Sequence, residues 1–372
     1  MTKEVDMNRL FAPAEKQGRN TRALKEWESL KEINLAEKIK RDAYAIDLFD
    51  GKDVLKKLEI IKQQRDSQEL QTCLRKMQII GGQFFLVPQP QGYEAILNGL
   101  LSKYPHFNNV IEFLRQRMRL NSLKEHPVLD FGASILLDGP AGCGKTSFLT
   151  KLSQSFDTEF ISISCAAATN NFDLTGLSAG WANGRAGKLH DLLINFGCPN
   201  SVFLLDEIDK ISNGGEKQNL TGALYGLLEK NNAKIFQDEY VGVTMDASRI
   251  NWFATSNDVS RLDAPLRDRF EVISVEAPDE NQMSLIIPQI FRSTVIEMGI
   301  QNSFATVLKK DVLNMLLSSD GISIRRIQSI LKTGLANATV RVKKGGAKVL
   351  LNPSDIPNQQ SSKSKQKIGF IH

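Results

Sequence analysis

Gly139-Pro140-Ala141-Gly142-Cys143-Gly144-Lys145-Thr146 satisfies the spacing G-x-x-x-x-G-K-[ST] at every specified position. A loop of this kind turns successive backbone N–H groups inward on a phosphate, sets a lysine ammonium between β- and γ-phosphates, and offers a threonine hydroxyl to Mg²⁺. The flanks agree with it. Residues 133–138 (ASILLD) read as a buried strand leading in, and residues 147–155 (SFLTKLSQS) read as a helix leading out. The N-terminus of that helix adds the positive end of its dipole where a triphosphate would sit. Gly139 through Ser147 is therefore the candidate cradle for a nucleoside triphosphate.

Downstream, residues 201–210 (SVFLLDEIDK) read as a buried strand that ends in two acids. Asp206, at the strand's C-terminal end, is placed to hold Mg²⁺ through water, and Glu207 to polarise an attacking water. Residues 158–164 (TEFISIS) predict another strand, and 251–256 (NWFATS) a further buried one that ends at Asn257, whose amide could reach a γ-phosphate or the lytic water. In the segment 263–270 (DAPLRDRF), Arg267 and Arg269 sit in a turn before the predicted strand 271–275. An arginine facing away from its own site can complete a neighbour's, which implies a ring; without the other motifs, a surface pairing with Asp263 or Asp268 would be the default. Between these motifs, residues 165–187 are small, polar and glycine-rich around one large aromatic, Trp181. Such a tryptophan is not easily buried by its own neighbours, which points to a contact role.

Helical periodicity over residues 281–298, 309–317 and 321–338 predicts a small all-helical lid, with Arg325 or Arg326 early in its third helix where either could fold back on the phosphates. Residues 340–351 carry basic residues and glycines compatible with a short hairpin, and 359–367 are polar. Ahead of the core, apolar residues at helical spacing (Leu24, Trp27, Leu30, Ile33, then Ile39, Ala43, Ile46, Phe49) predict a helical N-terminal region. Gly81-Gly82 and the cluster Pro88 to Gly92 mark a connection, and helical spacing returns between Gly92 and Leu123. The boundaries expected are 1–80 for the helical N-terminal region, 81–129 for the helical connection, 130–278 for the α/β nucleotide-binding core, 279–345 for the lid and 346–372 for a tail.

The 372 residues suffice for two or three domains, and 41% hydrophobic with 24% charged residues is ordinary globular composition. No apolar run has the length of a membrane span, the N-terminus lacks a secretory core, and the four cysteines show no metal-like pairing. A cytoplasmic, membrane-free setting is the expectation. Cys143 falls at an unspecified position of the phosphate loop, which leaves a redox role open. The net charge of +5 is compatible with nucleic acid or with a solvated lysine surface.

Taken together, the motifs resemble the AAA+ ATPase family, and within it the ATPase module of Lon proteases. Residues 204–210 (LLDEIDK) look like Lon's second nucleotide motif, 223–257 are similar to its path from ring-facing helix to sensor strand, and 263–272 (DAPLRDRFEV) look like its arginine-finger segment. The resemblance covers roughly residues 130 to 340. It implies an α/β fold: a three-layer P-loop core on a parallel five-stranded sheet, preceded by a helical N-terminal region and followed by a helical lid. It makes Lys145 and Thr146 the phosphate and Mg²⁺ contacts, Asp206 the metal-ordering acid, Glu207 the catalytic base, Asn257 the first sensor, Arg269 the finger acting on a neighbour, and Arg325 the lid sensor. Residues 176–188 (GLSAGWANGRAGK) look like Lon's first pore loop and put Trp181 where that family grips a polypeptide. The implied activity is Mg²⁺-dependent ATP hydrolysis by a homo-oligomeric ring, a hexamer, that remodels, unfolds or disassembles a protein partner; a loader or remodeller of nucleic acid is the alternative. Lon continues into a serine–lysine peptidase domain, whereas this sequence ends soon after the lid, so an ATPase without its own protease is expected.

Overall fold

The computed structural model describes residues 43–62, 68–167, 171–181, 183–211, 218–318, 322–343 and 345–357. The expected helices around Leu24, Trp27, Leu30, Ile33 and Ile39 lie outside the described residues, as does the polar segment 359–367. The described chain opens on β1 (Ala45–Asp47), two helices (Gly51–Ile61 and Gln68–Ile80) and β2 (Gln83–Phe85), with β1 and β2 antiparallel and Ala45 opposite Phe85. Ile46 thus lies in a strand, where its spacing predicted a helix. The reason lies at Gly81-Gly82: Gly81 takes φ +80°, and a Cβ on Gly82 would sit 2.1 Å from the Phe49 carbonyl oxygen. Two glycines let the chain return close enough for Leu48 N–H to bond the Gly82 carbonyl at 2.8 Å, so the pair closes a small sheet.

Two further helices, Tyr93–Lys103 and Asn108–Asn121, lead into the core. There β3 (Ile135–Asp138), β4 (Phe160–Ser164), β5 (Val202–Asp206), a small hairpin of β6 (Phe236–Gln237) and β7 (Thr244–Met245), β8 (Asn251–Ser256) and β9 (Glu271–Ser274) follow in order. Five of these strands form one parallel sheet in the spatial order β4-β5-β8-β3-β9. The central strands ILLD, VFLLD and NWFATS are almost wholly buried, the pattern of strands covered on both faces, while β4 and β9 at the edges are partly solvated. Successive side chains alternate between two cores: Phe203, Trp252 and Ala254 on one face, Leu204 and Phe253 on the other. This is the α/β architecture expected, with helices on both sides of a parallel sheet.

The lid consists of helices Glu280–Glu297, Lys310–Leu317 and Ile324–Ala338. Its own core takes in Val349, Leu351 and Ile356, past the boundary expected at residue 345. No hairpin forms over 340–351 among the described residues; Val349 instead makes a parallel bridge with Phe304, and Arg341 pairs with Asp355. Among the described residues no helix is long and apolar enough to cross a membrane.

Candidate functional site

Parallel strands bring their C-terminal ends to one edge, and the phosphate loop leaves β3 at that edge. Gly142 and Gly144 take φ +79° and +99°, conformations open to glycine at little cost. Gly139 is required for a different reason: a Cβ there would lie 2.1 Å from the Val275 carbonyl oxygen. The helix Lys145–Ser155 starts directly after Gly144, which has no side chain to cap it, so its first N–H groups remain available to a ligand. Lys145 is 7% exposed and folds back on the loop. Its Nζ donates to the carbonyls of Gly139 (2.6 Å) and Pro140 (3.1 Å) and to Oδ1 of Asn257 (3.1 Å). Asn257 follows directly on β8, so the ammonium spans from β3's loop to the neighbouring strand's end.

Register does the same for the acids. Leu205 of β5 pairs with Ala254 of β8, which puts the next residues, Asp206 and Thr255, side by side. Thr255 donates its hydroxyl to Asp206 Oδ1 at 2.5 Å, Thr146 donates to the same oxygen at 3.1 Å, and the N–H of Glu207 donates to the Thr255 hydroxyl at 2.9 Å. Glu207 itself adopts φ +56°, ψ +50°, a left-handed conformation rare for a residue with a Cβ. Lys145, Thr146, Asp206, Glu207 and Asn257 all line one cleft of about 1220 Å³ between core and lid.

The lid closes this cleft through the start of its third helix. Ser323 caps that helix, and a Cβ added to Gly142 would come within 3.1 Å of the Ser323 Cβ and 3.8 Å of the Arg325 Cβ. Arg325 lines the cleft, whereas Arg326 is not among its lining residues. Ala141 and Ser147 line it as well. The Ser147 hydroxyl meets that of Tyr104 at 3.0 Å.

Cys143 is buried, and burial pushes its thiol pKa up against the opposing pull of Lys145. Its side chain packs in the hydrophobic cluster that also holds Phe107 and Phe148. Three residues that sequence patterns did not single out also belong to the site: Thr255, Tyr104 and His106. Thr255 was hidden inside a strand read only as buried, though a polar residue just before the strand's end is a usable signal. Tyr104 and His106 lie far from the loop in sequence, and nothing local marks them.

Arg269 stands apart from this cleft. Its guanidinium donates to the carbonyls of Pro265 (2.6 Å) and Tyr225 (3.3 Å), pairs with Glu229 at 3.3 Å and lies 4.9 Å from the centre of the Tyr225 ring. Its partner is thus neither Asp263, which accepts from the Tyr225 hydroxyl and caps Leu266, nor Asp268. Trp181 is also remote and is 69% exposed. It sits at the end of a loop whose base is closed by paired backbone bonds between Leu177 and Arg185 (2.8 and 3.0 Å), and by buried Asp238, which accepts from Gly187 N–H at 2.8 Å. Burial raises the Asp238 pKa, against the pull of these N–H donors.

Comparison with known proteins agrees with this geometry. The family profile described as "ATPase family associated with various cellular activities (AAA)" matches residues 135–276. A Lon protease of Fusobacterium nucleatum is 26% identical over 359 residues, covering 88% of this chain but 46% of the relative. The chain thus spans less than half the length of that relative. Two solved structures of S. cerevisiae Hsp104 share the fold. The ADP complex has a TM-score of 0.54 at 18% identity, covering 72% of this chain and 43% of the other. The casein complex in an extended conformation has 0.53 at 17%, covering 68% and 48%. The strand order, the phosphate loop with its paired acids, and these matches make the chain the bearer of an AAA+ ATPase module similar to that of Lon proteases.

Proposed function

We propose that this chain hydrolyses ATP and that copies of it assemble into a ring, a hexamer, that works on a protein partner. The observation that carries the first part is the convergence of Lys145, Thr146, Asp206, Glu207 and Asn257 in one cleft under the lid residue Arg325. Lys145 is held by two carbonyls and an amide oxygen, neutral acceptors that an anionic phosphate outcompetes. The residues also fit Mg²⁺: a threonine hydroxyl and a carboxylate 3.1 Å apart are the hard oxygen donors this ion takes. When bound it would neutralise charge on the β- and γ-phosphates.

In this reading Glu207 orients and deprotonates the attacking water, Asn257 holds the γ-phosphate side, and Arg325 senses that phosphate from the lid. Arg269 cannot serve the cleft of its own chain, since it points to Tyr225 and Glu229; its partial exposure supports service to a neighbouring copy's site. The exposed Trp181 supports a grip on polypeptide, and the casein named with one Hsp104 structure supports a protein as the partner. Four free thiols support the cytoplasmic setting.

The test is the rate of Mg²⁺-ATP hydrolysis per chain across a range of protein concentrations. A rate that climbs with concentration is expected. No turnover at any concentration removes the ATPase reading, and turnover independent of concentration removes the ring.

A further inference from the structure

The carbonyl of Cys143, in the middle of the phosphate loop, is held from behind. Nε2 of His106 lies 2.8 Å from its oxygen. A carbonyl only accepts, so Nε2 carries the proton and donates, and Nδ1 of the neutral ring is bare. Nδ1 is indeed buried with no hydrogen-bond partner, and burial lowers the His106 pKa. The ring is also fixed in place. It sits edge-on to Phe107 with centroids 4.6 Å apart, and Phe107 stacks on Phe148 at 4.3 Å and 12°. Phe148 belongs to the first turn of the helix that starts at Lys145. His106 is thus packed, through Phe107, against the first turn of the phosphate-loop helix.

The peptide that His106 holds precedes one of the loop's two left-handed glycines. It joins Cys143 to Gly144, and Gly144 at φ +99° has no Cβ to resist a flip. In a trans peptide the C=O and the following N–H point in opposite directions. Fixing the Cys143 oxygen toward His106 therefore fixes the Gly144 N–H away from it. We propose that His106 is a positioning residue that locks the Cys143–Gly144 peptide so that the Gly144 N–H is presented to a nucleotide phosphate. This rests on the nucleotide reading of the cleft. Without the histidine, the peptide samples the flipped state, in which a carbonyl oxygen replaces the donor and repels the phosphate.

The experiment measures ADP affinity by calorimetry for the unaltered chain, His106→Phe and His106→Gln, each with its thermal midpoint. Phenylalanine keeps the aromatic packing and removes the donor, whereas the glutamine amide can donate again. The expected result is ADP affinity weakened about tenfold in His106→Phe and recovered to within about twofold in His106→Gln, as for loss and return of one oriented donor. Equal affinity in all three overturns the proposal, as does a loss in His106→Phe that His106→Gln does not repair. If the unaltered chain binds no ADP, the nucleotide reading fails and takes this one with it. A second measurement needs no variant to fold: ¹⁵N resonances of the His106 ring in the unaltered chain should show protonated Nε2 and bare Nδ1. The opposite tautomer cannot donate to Cys143 and overturns the proposal outright.

Discussion

Thr255 donates its hydroxyl to Asp206 at 2.5 Å and accepts the N–H of Glu207 at 2.9 Å, so one side chain on β8 fixes both acids at the end of β5. Thr255→Val keeps the shape and removes both bonds, which leaves the Glu207 N–H without its acceptor. An orphaned donor of this kind costs about 1–3 kcal/mol. ATP turnover should fall by about tenfold while nucleotide affinity changes little, because the loop that cradles phosphate is untouched. Parallel measurement of kcat and nucleotide Kd decides it, and a variant with full turnover would show that Thr255 does not position the acids.

Glu207 combines a required carboxylate with a backbone conformation that disfavours it. Its φ of +56° costs a residue with a Cβ about 1 kcal/mol relative to glycine. Glu207→Gln and Glu207→Gly both remove the base, and each should lower turnover by roughly a hundredfold or more. They should differ in stability, with the glycine variant more resistant to urea by about 1 kcal/mol. Such a gain would mean that this position gives up stability for chemistry. Identical urea midpoints would mean that the turn carries no such strain.

For Arg269, folding and catalysis should separate. Its ion pair with Glu229 is half-solvated, but the guanidinium also bonds two backbone carbonyls, so Arg269→Ala should cost about 1–3 kcal/mol, short of unfolding the chain. If it completes a neighbour's site, turnover should fall by about a thousandfold with ATP affinity intact. Mixing Arg269→Ala with an excess of Lys145→Ala is the sharper check. The two defects fall in different halves of a shared site, so mixed rings should regain part of the activity that neither variant has alone. No recovery on mixing argues against a shared site.

Local patterns made most of this cleft legible. The strand 202–206 announces itself by an apolar run that stops at two acids, and the phosphate loop by glycines whose positions the turn demands. What stayed hidden depends on pairs distant in sequence. β1 is too short to show a period of its own, and its Ile46 falls within the helical spacing of Ala43, Ile46 and Phe49, while its partner strand and the glycine that admits it come after two helices. His106 and Thr255 act through bonds to Cys143 and Asp206 that only the folded sheet creates. Likewise the acid that pairs with Arg269 is Glu229, from the segment before β6, where sequence neighbours pointed to Asp263 or Asp268.

Trp181 offers the clearest contrast between a residue that contacts and residues that build. At 69% exposure its indole adds little to folding, so Trp181→Ala should leave the melting temperature almost unchanged. Gly187 is at the base of the same loop, where a Cβ would come 2.4 Å from the Leu174 carbonyl oxygen and 2.5 Å from Gly176 N. Gly187→Ala must therefore displace backbone and break the bond to Asp238, at a cost of several kcal/mol. If the loop grips polypeptide, Trp181→Ala should keep basal ATP turnover and lose its stimulation by an unfolded protein such as casein, while Trp181→Tyr, which keeps a large ring, should retain it. Casein-stimulated turnover that survives in Trp181→Ala would remove the tryptophan from the motor and leave it as an exposed side chain on a loop built for some other end.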